Sequence, residues 1–372
     1  MRCTAARMSQ TSVVKYNICM SIFHRSIKPD TATKESEISQ TKKQKMDADY
    51  FENYGDIAIH EEMLRDKIRT NAYRMAILKN YKKFYGKTVL DVGAGTGILS
   101  LFCVQAGAKK VYAIEASEMA EQTRRIVKEN EMEERIEIIN CKVEEAELSE
   151  KVDIIVSEWM GYNLLYESML ESVLFARDKF LKKDGHMFPD RASLYIAPIT
   201  DDDYTDRLCI WNDVEDFYKV SMKSMIPYAR RCISKTVQIM CIPQEWIQSH
   251  GCQIFTSNLK TSSLSEIQKV QSNFEFKCFG HSTIHGFVTW FTVEFPDDIT
   301  LTTSPYTDET HWSQTVLHIR DPFNVEQDTT INGSITIKPN DSKPRFLDIC
   351  LVHKKDDGHE KIETFLMDEH LT

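Results

Sequence analysis

The stretch Lys87-Thr-Val-Leu-Asp-Val-Gly-Ala-Gly-Thr-Gly-Ile98 decides how the rest of this chain is read. Val89 to Val92 is an apolar run with the pattern of a buried strand, and Asp91 sits near its end. Gly93, Gly95 and Gly97 follow at alternate positions, and Ile98-Leu-Ser-Leu-Phe-Cys103 then begins an apolar pattern of helical period. Strand, glycine turn and helix open a doubly wound α/β unit, where glycine lets the chain turn tightly and lets a ligand lie against bare backbone. A second run, Val111-Tyr-Ala-Ile-Glu115, ends in an acid about 20 residues further on, where such folds hold a ribose hydroxyl.

Glycine spacing narrows the ligand. A G-x-G-x-x-G turn seats a pyrophosphate on the helix N-terminus. Here the spacing is G-x-G-x-G, flanked by Asp91 and Glu115. Two carboxylates repel a phosphate and attract a cation. The expected ligand is therefore S-adenosylmethionine, an adenosine with a positive sulfonium and no phosphate. Glycine turns also arise for steric reasons alone, but the strand, helix and spaced acid together favour the cofactor.

With 372 residues the chain is long enough for two cores, and its 42% hydrophobic and 27% charged content is that of a globular protein. No apolar run approaches the roughly 20 residues of a membrane helix, so no membrane partner is expected. A formal charge of −10 argues against direct nucleic-acid binding and for basic partners. The ten cysteines form no Cys-x-x-Cys pair or Cys/His cluster, so neither a metal site nor a disulfide framework is expected. Met1 to Pro29 has no Asp or Glu and many Ser and Thr, a composition shared by transit peptides and disordered tails. Its amphipathic period is poor, which favours a disordered tail over 1–46, and Lys42-Lys-Gln-Lys45 is a short basic cluster of nuclear-import type.

Residues 47–85 precede the glycine turn as lid helices. Tyr50 and Tyr54 share a face at i and i+4. Ile59, Met63, Leu64 and Ile68 make an apolar stripe that periodicity alone assigns to the core, leaving His60, Met63 and Arg69 without special roles. Placed just before a cofactor fold, however, the segment can close as a lid, and Arg69 then suits the cofactor's carboxylate.

From Gly86 to about Asp190 the pattern is Rossmann-like. Ser117 caps a helix to Asn130, and Ile136-Glu-Ile-Ile139 is a third strand. Glu144, in the loop after it, is suited to an adenine amino group with Val143 packed beside the ring, or is a solvated acid. A fourth strand, Val152 to Ser157, runs into Glu158-Trp-Met-Gly-Tyr162-Asn-Leu-Leu-Tyr-Glu167-Ser-Met169. Ligands in open α/β sheets bind at such carboxyl ends. Two glutamates in aromatic and apolar surroundings are costly unless a cation lies between them. Glu167 is also explicable as an acid at a helix start, but Glu158 is not.

These motifs resemble one family. Tyr50-Phe-x-x-Tyr54, His60-Glu-Glu-Met63, the glycine turn, Ser157-Glu-Trp-Met-Gly-Tyr162, Tyr166-Glu-Ser-Met-Leu170 and Thr310-His-Trp312 occur in the order seen in protein arginine N-methyltransferases of the type that makes asymmetric dimethylarginine. The resemblance runs from about Asp47 to the C-terminus. It implies Glu158 and Glu167 as an acidic clamp on the substrate guanidinium, with Glu167 or His311 accepting a proton. It also implies His60, Arg69, Asp91, Gly93, Gly95, Glu115, Val143 and Glu144 at the cofactor, and Tyr50, Tyr54, Met63, Met169 and Trp312 around the arginine pocket. Basic protein substrates such as histone tails, a homodimer and a nuclear location follow from the same resemblance.

The second half, 191–372, changes to short alternating strands, among them Ser193–Ala197, Phe274–Cys278, Gly286–Phe295 and Thr315–Ile319, the signature of a β-sandwich or barrel. Asp201 to Arg231 interrupts them with a helical, aromatic-bearing insert that the resemblance makes a dimerisation arm. The expected fold is thus α/β plus all-β. Two rival functions stand beside the main one, a small-molecule methyltransferase and a catalytically inactive cofactor-binding scaffold.

Overall fold

A computed structural model describes residues 46–48 and 50–371. The basic cluster and nearly all of the expected tail lie outside the described residues. The described residues lie within one compact unit.

The chain first makes a helical segment through 50–53, then α1 (Ile57–Arg65), α2 (Lys67–Lys79) and a short α3 (Tyr81–Phe84). Asp66 separates α1 from α2: it ends the first helix and caps the second, its carboxylate accepting the Arg69 amide at 2.9 Å. The break changes which face is buried. Arg69, Tyr73, Ala76 and Ile77 of α2 point inward, while Leu64 and Ile68 of the expected core stripe are exposed, along with Ile57. Periodicity found the stripe but not its direction, because the cap rotates α2 relative to α1.

A parallel sheet follows, in the order β3-β2-β1-β4-β5, from β1 (Thr88–Val92), β2 (Lys110–Ile114), β3 (Ile136–Ile139), β4 (Val152–Val156) and β5 (Leu181–Phe188). Every residue of β1 is buried, as a central parallel strand covered on both faces must be. Helices α4 (Ile98–Gln105), α5 (Met119–Glu129) and α6 (Met169–Phe180) link the strands. Helix α5 starts two residues later than the sequence suggests; Ser117 Oγ still accepts the Met119 amide at 3.2 Å. The strand order reverses between β1 and β4, and Asp91 lies in register between Ala113 and Val156. This is the switch point where open α/β sheets leave a crevice.

Two antiparallel sheets make the second layer. One runs β7-β12-β10-β6-β8, with β11 on β10, and the other β15-β14-β13-β9. Their strands are β6 (Arg191–Ile199), β7 (Val237–Met240), β8 (Cys252–Asn258), β9 (Val270–Lys277), β10 (Ser282–Phe295), β11 (Ile299–Thr302), β12 (Gln314–Val325), β13 (Thr330–Pro339), β14 (Leu347–Lys355) and β15 (Lys361–Met367). The insert is α7 (Asp202–Tyr218) and α8 (Ile226–Ile233), joined by a short turn. Asp201 roots it, capping α7 through Oδ1 and pairing with the buried His318 through Oδ2 at 2.6 Å. Among the described residues no helix is long and apolar enough to cross a membrane.

The layers meet at β10 and the segment just before β12: Thr289 Oγ1 donates to Asn163 Oδ1 at 2.8 Å and Trp312 Nε1 to the Met160 carbonyl at 2.7 Å, with buried Phe291 packed edge-on behind the Trp312 ring, centroids 5.4 Å apart. Phe291→Ala leaves a cavity there and should cost about 3–5 kcal/mol of stability, measured by urea unfolding. A loss below about 1 kcal/mol would mean that this junction does not carry the packing described.

Candidate active site

Three strand ends supply the site. β1 turns through Gly93 and Gly95, whose φ values of 73° and 53° favour glycine. Space is also tight: a Cβ on Gly93 would lie 2.3 Å from Met169 Cε and displace it, and one on Gly95 would lie 3.1 Å from His60 Cε1. Met169 and His60 thus bracket bare backbone. Asp91 is fully buried; Oδ2 accepts the Ser100 hydroxyl at 2.6 Å and Oδ1 has no protein partner. Burial pushes its carboxyl up to about 7, offset in part by the Ser100 bond and reinforced by the charge of Glu115. At the end of β2, buried Glu115 accepts the Gly95 amide on Oε2 and the Ser117 amide on Oε1, both at 2.8 Å.

This set fits S-adenosylmethionine. Among the described residues it combines glycine backbone open to close approach, two buried acids with no cation beside the turn to hold a phosphate, and one Asp91 oxygen without a protein donor. Val143 is buried in the core, and Glu144 is exposed, accepting the Ser172 hydroxyl at 2.6 Å. Neither shares a hydrogen bond with the glycine turn among the described residues.

β4 brings the glutamates. Ser157 Oγ donates to the Val92 carbonyl at 2.8 Å and ties the end of β4 to that of β1. Next to it, Glu158 Oε2 accepts Nε and Nη2 of Arg69 at 3.0 and 2.9 Å, with both side chains under 10% exposed (8% and 7%). Arg69 Nη1 also donates to the Met63 carbonyl at 3.3 Å, and Nη2 lies 3.7 Å from Met63 Sδ. The residue expected at the cofactor's carboxylate therefore lies on the first glutamate, joining the two halves of the site.

The chain folds back at Gly161, which bridges to Leu164. A Cβ there would meet the Tyr166 carbonyl at 2.1 Å, so the hairpin closes only around glycine. Glu167 and Ser168 both hold left-handed backbone, with φ of 75° and 59°. Such conformations persist only where surrounding contacts hold them. Glu167 Oε2 accepts the Tyr54 hydroxyl at 2.7 Å. Burial raises the Glu167 carboxyl above its usual range, the phenols of Tyr54 and Tyr50 offset part of that, and Glu158 adds repulsion. Burial likewise pushes both phenols well up, with Glu167 contributing. The Tyr50 and Tyr54 rings pack at 4.8 Å, and His60 Nε2 donates to the Tyr54 carbonyl at 2.9 Å.

The barrel contributes the remaining wall. Trp312 Nε1 donates to the Met160 carbonyl inside the glutamate hairpin at 2.7 Å. His311 Nδ1 bonds Asp66 Oδ2 at 2.7 Å, and its amide donates to the same oxygen at 3.0 Å. Burial alone would raise the Asp66 carboxyl, but the His311 bonds and the Arg69 amide hold it below the usual range. Sequence reasoning missed Asp66, although an Asp three residues before Arg69 is a readable helix cap. It also missed Arg345 and Asp47, which carry no local signal. Among the described residues no group of three His, Cys, Asp or Glu side chains is placed to hold a metal.

Comparison with known proteins gives the family. The family model for the arginine methyltransferase oligomerization subdomain matches residues 190–358, and that for ribosomal protein L11 methyltransferase matches 69–187. The chain belongs to the protein arginine N-methyltransferases: it is an S-adenosylmethionine-dependent enzyme acting on arginine in proteins, of the type I class that forms asymmetric dimethylarginine. Within the family it is similar to protein arginine N-methyltransferase 6 of Danio rerio, 51% identical over 320 residues, covering 84% of this chain and 91% of that one. The Xenopus tropicalis protein of the same name is 46% identical over 324 residues, 86% of this chain and 95% of that one. A solved structure, the Trypanosoma brucei PRMT1 enzyme–prozyme heterotetrameric complex with AdoHcy, matches with a TM-score of 0.78 at 35% identity, covering 85% of this chain and all of that one (100%). Family membership excludes the small-molecule rival.

Asp91 makes stability depend on pH. Its folded carboxyl titrates at about 7, above the unfolded value, so its contribution is present at low pH and is lost as pH rises from about 4 to about 7. In urea titrations without cofactor, wild type should lose on the order of a few kcal/mol more than Asp91→Asn between pH 5 and pH 8, about 1.4 kcal/mol per pH unit crossed. Equal losses in the two proteins would rule out a buried, protonated Asp91.

Proposed function

We propose that Glu158 and Glu167 are the clamp that binds the substrate arginine and turns one of its terminal nitrogens toward the methyl donor. The observation carrying this is the pair itself: two carboxylates at one strand end, close enough for Glu158 to raise Glu167. Glu158 already holds one guanidinium, that of Arg69, through paired contacts of 2.9 and 3.0 Å. A guanidinium has a pKa above about 12 and delocalised lone pairs, so it is a poor nucleophile until it is oriented and polarised. Two carboxylates draw its positive charge toward themselves and leave the far nitrogen richer in electrons. Most of the acceleration then comes from alignment and fixed electrostatics.

S-adenosylmethionine supplies the methyl group on a sulfonium centre that alkylation neutralises. Asp91, Glu115 and the glycine backbone hold the nucleoside, and Arg69 lies at hand for the carboxylate. Glu167 accepts the guanidinium proton at its carboxylate, being the member of the pair that burial raises. Asp66 orients His311 through its Nδ1. Met63 and Met169 narrow the arginine pocket, while Tyr50 and Tyr54 close over it.

Basic tails such as those of histones suit the chain's net charge of −10, and a nuclear location follows from such substrates. The working unit is a homodimer in this reading. Supporting it are the oligomerization-subdomain match and two exposed apolar surfaces, one on the arm at Phe217 (78% exposed) and Tyr218 (74%), the other along Ile57, Leu64 and Ile68.

Incubation with labelled S-adenosylmethionine and a histone-tail peptide, followed by hydrolysis, should yield labelled asymmetric dimethylarginine. Glu158→Gln should abolish transfer while changing cofactor affinity only severalfold. Near-normal turnover in that variant would sink the clamp, and absence of transfer to the peptide by wild type would sink the histone-tail substrate. Replacing Phe217 and Tyr218 together with Asp should convert the sedimenting species from dimer to monomer. A wild-type monomer, or a dimer that survives both charges, would overturn the arm assignment.

A further inference from the structure

The barrel loop between β13 and β14 reaches the catalytic hairpin with one side chain that no local motif marks. Arg345 Nη1 donates to the Glu167 carbonyl at 2.7 Å, while the Arg345 carbonyl accepts the Glu167 amide at 2.8 Å. One residue later, Ser168 Oγ donates to the Pro344 carbonyl at 2.6 Å. These bonds hold the two successive left-handed residues of the hairpin. The other side of the same guanidinium faces the segment that carries the lid tyrosines. Nε and Nη2 donate to Asp47 Oδ1 at 3.2 and 2.7 Å, and the guanidinium carbon lies 3.8 Å from the Tyr50 ring centroid. Asp47 is held in turn by Lys142 at 2.6 Å, and burial's upward pull on its carboxyl is outweighed by these two cations.

We propose that Arg345 is a positioning residue for the arginine clamp: it fixes the backbone of Glu167 and ties its orientation to the docking of the Asp47–Tyr54 segment. This rests on Glu167 serving in the clamp. The guanidinium fork suits the task because it meets a carbonyl, a carboxylate and an aromatic face at once, which a lysine ammonium cannot do. When the segment docks, Tyr54 reaches the Glu167 carboxylate and Arg345 secures the peptide behind it, so the lid and the clamp become competent together.

The charged and titratable groups facing Glu167 are Tyr50 and Tyr54 from the segment, Glu158 across the strand end, Tyr162 and Tyr166 within the hairpin, and Arg345 from the barrel. Of these, Arg345 is the cation, and it lowers the Glu167 carboxyl. Removing it raises that carboxyl further, so the acid limb of kcat/KM must move to higher pH. A residue that merely supports the fold would not move that limb.

The test compares Arg345→Ala, Arg345→Lys, Asp47→Asn, the Arg345→Ala/Asp47→Asn double variant and Glu167→Gln in the full-length protein, with a histone-tail peptide and S-adenosylmethionine. Arg345→Ala should lose about a hundredfold in kcat, the scale of a small misplacement of a reacting group, with cofactor Kd within about threefold of wild type. Its acid limb should shift alkaline, and Arg345→Lys should restore the limb but only part of kcat. Asp47→Asn should fall between wild type and Arg345→Ala, and the double variant should be within about twofold of Arg345→Ala, since both act through one contact. Wild-type kcat and an unmoved limb in Arg345→Ala, or multiplicative losses in the double variant, would overturn the proposal. If Glu167→Gln is inactive in that case, the clamp itself stands. Normal turnover in Glu167→Gln would instead remove the clamp, and this inference with it.

Discussion

A carboxylate taken out of water must be given a cation or hydrogen-bond donors, and most of this structure can be understood from where four buried or half-buried acids find theirs. Glu158 has Arg69, Glu167 has Tyr54, Asp66 has His311, and Glu115 has two backbone amides. Among the described residues the buried Asp91 Oδ1 has no protein donor, and the Asp91 carboxyl is driven to about 7. Concentrated negative charge at one sheet edge is unfavourable for the fold by itself. It becomes favourable when cationic groups arrive, which is why the same edge suits both a sulfonium donor and a guanidinium acceptor.

The partners of those acids come from three directions. α2 supplies Arg69, the segment before α1 supplies Tyr54, and the barrel supplies His311, Trp312 and Arg345. The second layer is therefore part of the candidate site's wall as well as a support. Trp312 holds one arm of the glutamate hairpin through Met160, and Arg345 holds the other through Glu167. Between them the hairpin keeps four left-handed non-glycine residues, Asn163, Leu164, Glu167 and Ser168, that an isolated loop would not retain.

Much of this was legible beforehand. Strand β1, the glycine turn and α4 announce themselves through a local change of hydrophobic period. The glutamates stood out because Glu158 follows a buried strand directly and had no ordinary structural explanation. The apolar stripe of α1 and α2 was visible too, but its exposure was not, since the direction of a helix face is set by what packs against it. Short strands such as β7 and β11 escaped because they lack a strong alternating pattern and exist through pairing with β12 and β10. Among the site residues, Asp66 was readable as a cap but not as the partner of His311, which lies 245 residues away in sequence. Glu144 and Val143 remain near the end of β3, apart from the hydrogen bonds that join the others.

By itself, then, the sequence determined the elements whose causes are local. These are a central parallel strand ending in an acid, a turn that only glycine can make, a second spaced acid, and two glutamates after β4. Only the tertiary structure decided the pairings: Arg69 on Glu158, Asp66 on His311, and Arg345 shared between Glu167 and Asp47. The physical reason is that chain period and composition report the environment one residue needs. Which distant group meets that need is set by how the layers pack.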